Sequence, residues 1–307
     1  METGGHGDRR QVSPSSFCKG AALAATIYPS IGLRPLGDID LLVPKDRRDQ
    51  AVLAVRALGY LPQRPEIRPG LAHLLSYELE FTGGECIHLS LGLHWSVIGG
   101  EASSYRPRID WFWEQAEMAN LLGMQTLLLT PTAHLLYLAA HLMLQHGGAQ
   151  ARLLWFCDLD LLIRRQADRL DWDELLRCAR EFHWATALRA ALQGAQERLG
   201  TPLPPGVLAA LAETYDHQVA HLVEGQTDPR QTRAIRVWNF LSSLDWQARL
   251  RLALAIVLPS PAYVRWRYQP RPGWLWPLCY PYRWLDMLRK GLYTMVKLTR
   301  RRITPSA

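Results

Sequence analysis

The chain is poor in the residues and segments that identify several large classes of protein. Its 307 residues include five cysteines, an odd number without a Cys-x-x-Cys pair, so neither a disulfide framework nor a cysteine zinc site is indicated. No apolar run approaches about 18 residues without a charge, and the first twenty residues have no apolar core, so we predict neither a membrane span nor a signal peptide. Walker and Gly-x-Gly-x-x-Gly loops are also missing. These absences favour a folded protein of the reducing cytoplasm.

Basic charge is concentrated at the C-terminal end. Residues 260–307 contain ten basic residues and one acidic residue, Asp286, which gives +9; residues 1–259 contain 25 basic and 27 acidic residues, which gives −2. We therefore expect a local basic patch and no specific nucleic-acid partner. Trp and Tyr accompany the Arg residues of 260–307, which suits an anionic membrane surface. A tail wrapped over the body with its Arg residues in solvent explains the composition equally well.

The order of sequence patterns predicts an α+β fold. Gly37 to Val43 alternates polar and apolar residues, as a strand with one buried face does. Leu75 to Phe81 and Cys86 to Trp95 are two further strand candidates, joined by a Gly-Gly turn. Helical patterns dominate after about residue 125. We predict a small mixed sheet with flanking helices over 16–122, an all-helical domain over 123–258, and a basic aromatic tail with a terminal helix over 259–307.

Two aspartates in the first predicted strand carry the strongest local signal. Asp38 and Asp40 stand at positions i and i+2, and alternate residues of a strand share one face. Two carboxylates held together repel each other unless a cation neutralises them. Mg²⁺ suits this position because it prefers carboxylate oxygens and keeps coordination sites open for phosphate. Taken alone, the pair is more often a strand end with solvated side chains.

A second feature lies upstream, where a strand meets a helix at Lys19-Gly20-Ala21. Small residues at such a corner let backbone N–H groups approach a phosphate, and a helix N-terminus adds positive potential. Arg34, four residues before Asp38, is a candidate to hold Asp38 or a phosphate oxygen.

The run CKGAALAATIYPSIGLRPLGDIDLLV, residues 18–43, resembles the entry motif of the nucleotidyltransferase superfamily, which has the DNA polymerase β-like fold. In that motif a glycine and a small residue open a helix, and an Asp-x-Asp strand follows. The longer pattern is similar to a bacterial group of uncharacterised nucleotidyltransferase family proteins. Further segments match this group: Leu93-His94-Trp95, residues 128–141, residues 153–162 and the run PSPAYVRWRY. The resemblance covers about residues 17–290.

The resemblance implies a metal-dependent transfer reaction. An acceptor would attack the α-phosphorus of ATP or another NTP in line, with Mg²⁺, or Mn²⁺ in its place, bridging the reacting oxygens. Asp38 and Asp40 would be catalytic and would hold the metal. The nucleotide would be held by the strand–helix corner, Lys19, Gly20 and Ala21, together with Arg34.

The third carboxylate that the family carries is missing from its expected place. It should precede the Leu-His-Trp run on the same strand face, where this chain has Gly92, with Ser90 two residues earlier. His94 shares that face and is a candidate to substitute as a ligand or base; Glu85 is a poorer one. The helical segment that usually precedes the first strand in the family is replaced by about sixteen polar residues, which predicts a displaced gene start or an incomplete site.

An acceptor side is expected in the helical half. His134 and His141 lie seven residues apart on one helical face, and Asp158 on the next predicted helix is a candidate to face them. The alternative is a polar seam between packed helices.

These observations lead to one main hypothesis and two alternatives. The main one is a Mg²⁺-dependent nucleotidyltransferase that moves a nucleotidyl group to a small-molecule, peptide or glycan-precursor acceptor. The first alternative is a degenerate, non-catalytic binding module of the same fold, which Gly92 favours. The second is an accessory protein of a biosynthetic pathway that lies at the inner membrane face through residues 260–307.

Overall fold

The computed structural model of the chain describes residues 16–17, 20–71, 76–83, 89–99, 107–121, 123–146, 151–214 and 244–303. Two candidate site residues, Lys19 and Glu85, lie outside these ranges. The described residues form a sheet with flanking helices, followed by a helical region, and the predicted α+β class is confirmed.

Within the described ranges, seven strands form one mixed sheet. They are β1 (Ser16–Phe17), β2 (Asp38–Leu42), β3 (Tyr60–Pro62), β4 (Glu78–Gly83), β5 (Ser90–His94), β6 (Ala116–Leu121) and β7 (Met124–Leu129). Their order across the sheet is β3-β4-β5-β2-β1-β7-β6. β2 runs parallel to β5, with Asp40 beside Gly92, and β4 runs antiparallel to β5, with Glu80 beside Gly92. Residues far apart in sequence therefore lie in one row across the sheet.

Helices cover the sheet and form the second half of the molecule. They are α1 (Gly20–Thr26), α2 (Arg48–Ala57), α3 (Ile109–Glu114), α4 (Pro131–Ala140), α5 (Leu153–Arg165), α6 (Trp172–Glu181), α7 (Ala185–Leu199), α8 (Val207–Ala212), α9 (Trp246–Val257), α10 (Pro261–Tyr268) and α11 (Cys279–Ile303). Thr130 caps α4 by accepting a hydrogen bond from the backbone N–H of Ala133, and Pro131 occupies the first turn, as predicted. A π-helical turn, His141–His146, continues α4.

Two apolar cores lie on opposite faces of the central strands. Leu42 contributes to the larger core, which joins α1 and the sheet to helices α4 to α8. We call helices α4 to α8, with the segments that connect them, the helical body. Leu41 packs against the smaller core, which includes Val55 of α2 and Phe81 of β4. Since neighbouring residues of a strand point to opposite faces, β2 is covered on both sides at its C-terminal end.

The sheet continues further along the chain than the alternation pattern predicts. The β6–β7 hairpin turns at Gly123, whose φ of 85° favours glycine, and β7 pairs in parallel with β1. The residue types of β6 (AEMANL) favour a helix as much as a strand, so the sequence alone predicts no strand there. Strand β7 lies beyond the boundary placed at residue 122; the division into domains otherwise stays a prediction.

Hydrogen bonds attach the C-terminal segment to the α/β part. The backbone N–H of Ser260 donates to the Ile67 carbonyl at 2.6 Å, and the Ser260 hydroxyl donates to the Glu66 carbonyl at 3.1 Å. Arg68 Nε donates to the Leu258 carbonyl at 2.7 Å. Helix α10 therefore lies beside the segment that follows β3. Across the part of the chain that the structure describes, no helix is both long and apolar enough to traverse a bilayer.

Candidate active site

The two predicted aspartates lie on the polar face of β2. Alternation places Asp38 and Asp40 on one face, whereas Leu41 points to the smaller core. Asp38 is exposed, and Asp40 is buried with 8% of its surface accessible. The strand thus offers one solvated carboxylate and one carboxylate in a drier environment, and the two are neighbours on one face.

Three polar side chains form a chain of contacts from β2 to β4. His94 Nε2 lies 3.0 Å from Asp40 Oδ1, and His94 Nδ1 lies 3.4 Å from Glu78 Oε2. The strand register explains this arrangement, because Glu78 stands directly opposite His94 in the β4–β5 pair. Each ring nitrogen faces a carboxylate, which fixes the orientation of the imidazole. The ring of Tyr77 lies 5.6 Å from that of His94, centroid to centroid.

Gly92 lies directly beneath the contact between Asp40 and His94. A Cβ atom built on Gly92 would lie 2.6 Å from Asp40 Oδ1 and 2.7 Å from His94 Nε2. Both distances are shorter than van der Waals contact, so any side chain at this position requires Asp40 and His94 both to move. The space in which the resemblance predicts a third carboxylate is therefore used here by the Asp40–His94 contact.

Two further carboxylates reach the same face from β4. Glu80 stands beside Gly92, which stands beside Asp40, so Glu80 and Asp40 are two strand spacings apart, about 10 Å at the backbone. We call Asp38, Asp40, Glu78 and Glu80 the acidic face. Sequence motifs alone did not single out the two glutamates, although the Glu-x-Glu alternation of β4 indicates that they share a face.

Arg34 forms a buried ion pair with Asp158 of α5. Its Nε and Nη2 atoms donate to the two Asp158 carboxylate oxygens at 2.8 and 2.7 Å, and the Tyr28 hydroxyl donates to Asp158 Oδ1 at 2.7 Å. Burial opposes the charge of Arg34, but the hydrogen bonds and charge of Asp158 outweigh it and raise the pKa of Arg34; the nearby charge of Asp38 contributes in the same direction. Burial and then Asp158 also raise the pKa of Tyr28. Arg34 therefore links the segment that leads into β2 to the helical body.

Gly20, at the first position of α1, is in close contact with that guanidinium. A Cβ atom on Gly20 would collide with Arg34 Nη1 and would lie 2.9 Å from a methyl group of Leu36. The small residue at this corner is thus required by the approach of Arg34 to α1. Ala21, the next residue, is half-buried. Whether this corner also holds a phosphate stays a prediction.

Within the described residues, the hydrogen bonds of Asp158 do not involve the two candidate histidines, His134 of α4 and His141 of the π-helical turn. Asp158 has 1% of its surface accessible, and its hydrogen bonds within the described residues go to Arg34 and Tyr28. His141 Nε2 instead lies 2.9 Å from His146 Nε2, and both His134 and His141 are buried. Arg34 and Tyr28 therefore occupy the Asp158 carboxylate, and whether His134, His141 and Asp158 line an acceptor side stays a prediction.

The oxygen donors of Asp38 and Asp40 fit a magnesium ion that arrives with its substrate. No group of three or more His, Cys, Asp or Glu side chains in the described ranges is arranged to hold a metal ion. Mg²⁺ in nucleotide enzymes is commonly bound by one or two carboxylates and completes its shell with phosphate oxygens and water. Two neighbouring aspartates, one of them exposed, match that chemistry.

A cavity of about 680 Å³ opens at the edge of the acidic face. It forms where β3 ends at Pro62 and the chain diverges from β4, and α10 closes the other side. Its lining includes Arg64, Glu78 and Glu80 from the α/β part and Tyr263, Trp266 and Arg267 from α10. Glu78 therefore belongs to both the cavity and the contact with His94.

Comparison with known proteins gives one result. A family model described as an uncharacterised nucleotidyltransferase matches residues 10–200, which is most of the α/β part and the helical body. No curated protein and no solved structure matches the chain. Because the match covers more than half of the chain and includes every described residue of the acidic face, the protein belongs to this family of uncharacterised nucleotidyltransferases.

Proposed function

We propose that the protein transfers a nucleotidyl group from ATP, or from another NTP, to an acceptor in a Mg²⁺-dependent reaction. The observation that carries this proposal is the placement of Asp38 and Asp40 side by side on one face of β2 in a chain of the nucleotidyltransferase family. A bound magnesium ion would polarise the α-phosphate and offset the charge of the leaving pyrophosphate. Asp38 and Asp40 would hold that ion.

Each of the other candidate residues receives a role from its surroundings. Arg34, oriented by Asp158, would supply positive charge beside Gly20 at the triphosphate, with Ala21 next to Gly20. Lys19 lies outside the described residues and keeps the nucleotide-binding role that the sequence predicts. His94 has both ring nitrogens directed at carboxylates, so we assign it the role of positioning Asp40. The cavity beside Glu78 would receive the acceptor, because it is continuous with the acidic face. In this proposal the acceptor would bind on the β4 side and not beside His141 and Asp158.

Binding of MgATP tests the nucleotide half of the proposal. Wild type is expected to bind ATP in the presence of Mg²⁺ and to bind it weakly in EDTA, as measured by isothermal titration calorimetry. The Asp38→Ala/Asp40→Ala variant is expected to lose the metal-dependent component. Asp168→Ala/Asp173→Ala removes two exposed carboxylates of the helical body and serves as the charge-matched control. Equal MgATP binding by the two double variants would refute the assignment of the aspartates.

Gly92 favours a second candidate, a module that binds a nucleotide without turnover. A two-carboxylate site lacks the third group that helps to activate the acceptor in the family, and Gly92 has no room for it. Release of pyrophosphate from MgATP in the presence of candidate acceptors separates the two functions. Release that depends on Asp38 and Asp40 supports the enzyme, whereas tight metal-dependent binding with no pyrophosphate supports the binding module.

A further inference from the structure

Helix α11 exposes an apolar stripe to solvent. Five large side chains at spacings of three or four residues, beginning just before the helix, are each 61–67% exposed: Leu278, Tyr282, Leu285, Leu288 and Leu292. Residues at these spacings lie along one side of a helix. Tyr293 and, in the preceding turn, Trp274 add further exposed aromatic surface. Soluble proteins rarely expose a continuous row of large apolar side chains, and such a patch often marks an interaction site.

The start of α11 is held firmly against the rest of the molecule. Trp284 Nε1 donates to the Val257 carbonyl at 2.8 Å, and Arg283 Nε donates to the Ile256 carbonyl at 3.0 Å. The Tyr280 hydroxyl donates to the Pro259 carbonyl at 2.7 Å. These bonds fix the direction in which the stripe points, so the exposed leucines form a surface with a defined orientation relative to α9 and α10.

Basic residues accompany the stripe. Arg289 and Lys290 are exposed on α11, and the sequence adds Lys297 and the run Arg300–Arg302 before the helix ends at Ile303. The only acidic residue of 260–307, Asp286, is paired with Lys290 at 2.6 Å. An amphipathic helix with leucine and aromatic residues on one side and Lys and Arg around it suits the interface of a bilayer that contains anionic lipids.

Two other occupants fit less well. A nucleic acid would neutralise the basic residues but would leave the leucine stripe in water. A second copy of the chain would bring two segments of charge +9 together, which electrostatic repulsion opposes. The combination of apolar stripe and positive charge therefore favours a lipid surface.

We propose that α11 docks the protein on a membrane surface containing anionic lipid, with Leu285, Leu288 and Leu292 inserted into the headgroup region. A helix of 25 residues is about 38 Å long and lies along the surface in this arrangement. The proposal is independent of the nucleotidyltransferase assignment, because it rests on α11 and its anchoring alone.

Vesicle co-sedimentation of the full chain tests this proposal. Wild type is expected to bind vesicles of phosphatidylcholine with phosphatidylglycerol at least roughly tenfold more tightly than vesicles of phosphatidylcholine alone, and added salt is expected to weaken the binding. Leu285→Gln/Leu288→Gln/Leu292→Gln is expected to lose about 100-fold in affinity, because three partly inserted leucines are removed. Leu53→Gln/Leu58→Gln/Leu61→Gln removes three equally exposed leucines from the α/β part, 64–68% accessible, and is expected to bind as wild type does.

Several results would overturn the proposal. One is equal vesicle binding by the two leucine variants, and another is no binding of wild type to anionic vesicles. Binding of single-stranded RNA that survives the α11 leucine variant but not Arg289→Gln/Lys290→Gln, without vesicle binding, would assign the surface to nucleic acid. A dimer in analytical ultracentrifugation that only the α11 leucine variant dissociates, again without vesicle binding, would assign it to a second copy. Circular dichroism of each variant checks that the fold is retained.

Discussion

The helical body and the acidic face use their residues in opposite ways. In α4 all ten residues are buried, and Leu135, Leu136 and Ala139 are completely inaccessible. On the acidic face, four carboxylates of like charge lie on two nearby strands, and Gly92 leaves a position without a side chain between them. The helical body buries apolar side chains, whereas the acidic face holds carboxylates that repel one another. A region that retains unfavourable charge beside a stable core is where a binding or catalytic function is expected.

The largest expected effect is at the ion pair that joins the segment leading into β2, the strand of Asp38 and Asp40, to the helical body. Asp158→Ala leaves the buried Arg34 without its carboxylate, and we expect the free energy of unfolding to fall by about 3–5 kcal/mol. Urea denaturation followed by circular dichroism measures this loss. Asp173→Ala, which removes an exposed carboxylate from α6, is the control. A loss for Asp158→Ala no greater than that of the control would mean that the ion pair does not hold the regions together.

Packing inside the helical body gives the next effect. Leu135→Ala creates a cavity in the larger core and is expected to lower the free energy of unfolding by about 3 kcal/mol. Leu288→Ala on α11 changes a side chain that is 65% exposed and is expected to change stability by about 0.5 kcal/mol or less. Similar losses for the two variants would show that α11 is packed in solution as tightly as α4.

On the acidic face, the sharpest test is Gly92→Ala. The added methyl group would displace both Asp40 and His94, so we expect a loss of about 1–3 kcal/mol in unfolding free energy and weaker MgATP binding. Gly37→Ala, just before β2, meets no atom within 4 Å and is expected to leave stability unchanged or to raise it by about 0.5 kcal/mol. Equal stability and MgATP binding of the two variants would contradict the crowding at Gly92.

A smaller, pH-dependent effect belongs to the body. Hydrogen bonds from Arg177 chiefly, and also from Cys178 and Trp111, lower the pKa of Glu174 from 4.5 to about 2. The ionised Glu174 therefore stabilises the fold above pH 4.5, and this contribution is lost as the pH falls from about 4.5 towards 2. Glu174→Gln is expected to cost about 1 kcal/mol at pH 7, and less near pH 3. If wild type and Glu174→Gln differed in stability by the same amount at pH 7 and at pH 3, the lowered pKa of Glu174 would not stabilise the fold.

The smallest expected effect on stability is at Asp38. Asp38→Asn removes one exposed charge from the acidic face, so the unfolding free energy without metal is expected to change by about 0.5 kcal/mol or less. MgATP binding is nevertheless expected to be lost, as calorimetry would show. A large loss of stability would mean that Asp38 stabilises the fold. The acidic face and the helical body would then not differ in the way described above.

Local patterns predicted the parts of the site that depend on a single element. The alternation of β2 predicts the shared face of Asp38 and Asp40, and the Thr-Pro sequence predicts the start of α4. The contact of Glu78 with His94 depends on the register between two strands, which a single sequence does not reveal. The pairing of Arg34 with Asp158 joins residues 124 positions apart. Strand β6 was not predicted, because its residue types favour neither a helix nor a strand. Its strand conformation depends on pairing with β7.

The tight space above Gly92 constrains how this site could change through evolution or engineering. Introducing an aspartate at residue 92 alone would force its first carbon into the imidazole of His94 and the oxygen of Asp40. A smaller residue at position 94, for example through His94→Ser, would remove the clash with the imidazole and would release Asp40 from its contact with His94, so that Asp40 could turn aside for a third carboxylate. The order of substitutions therefore matters, because a change at residue 94 before one at residue 92 avoids an intermediate in which the new side chain clashes with the imidazole.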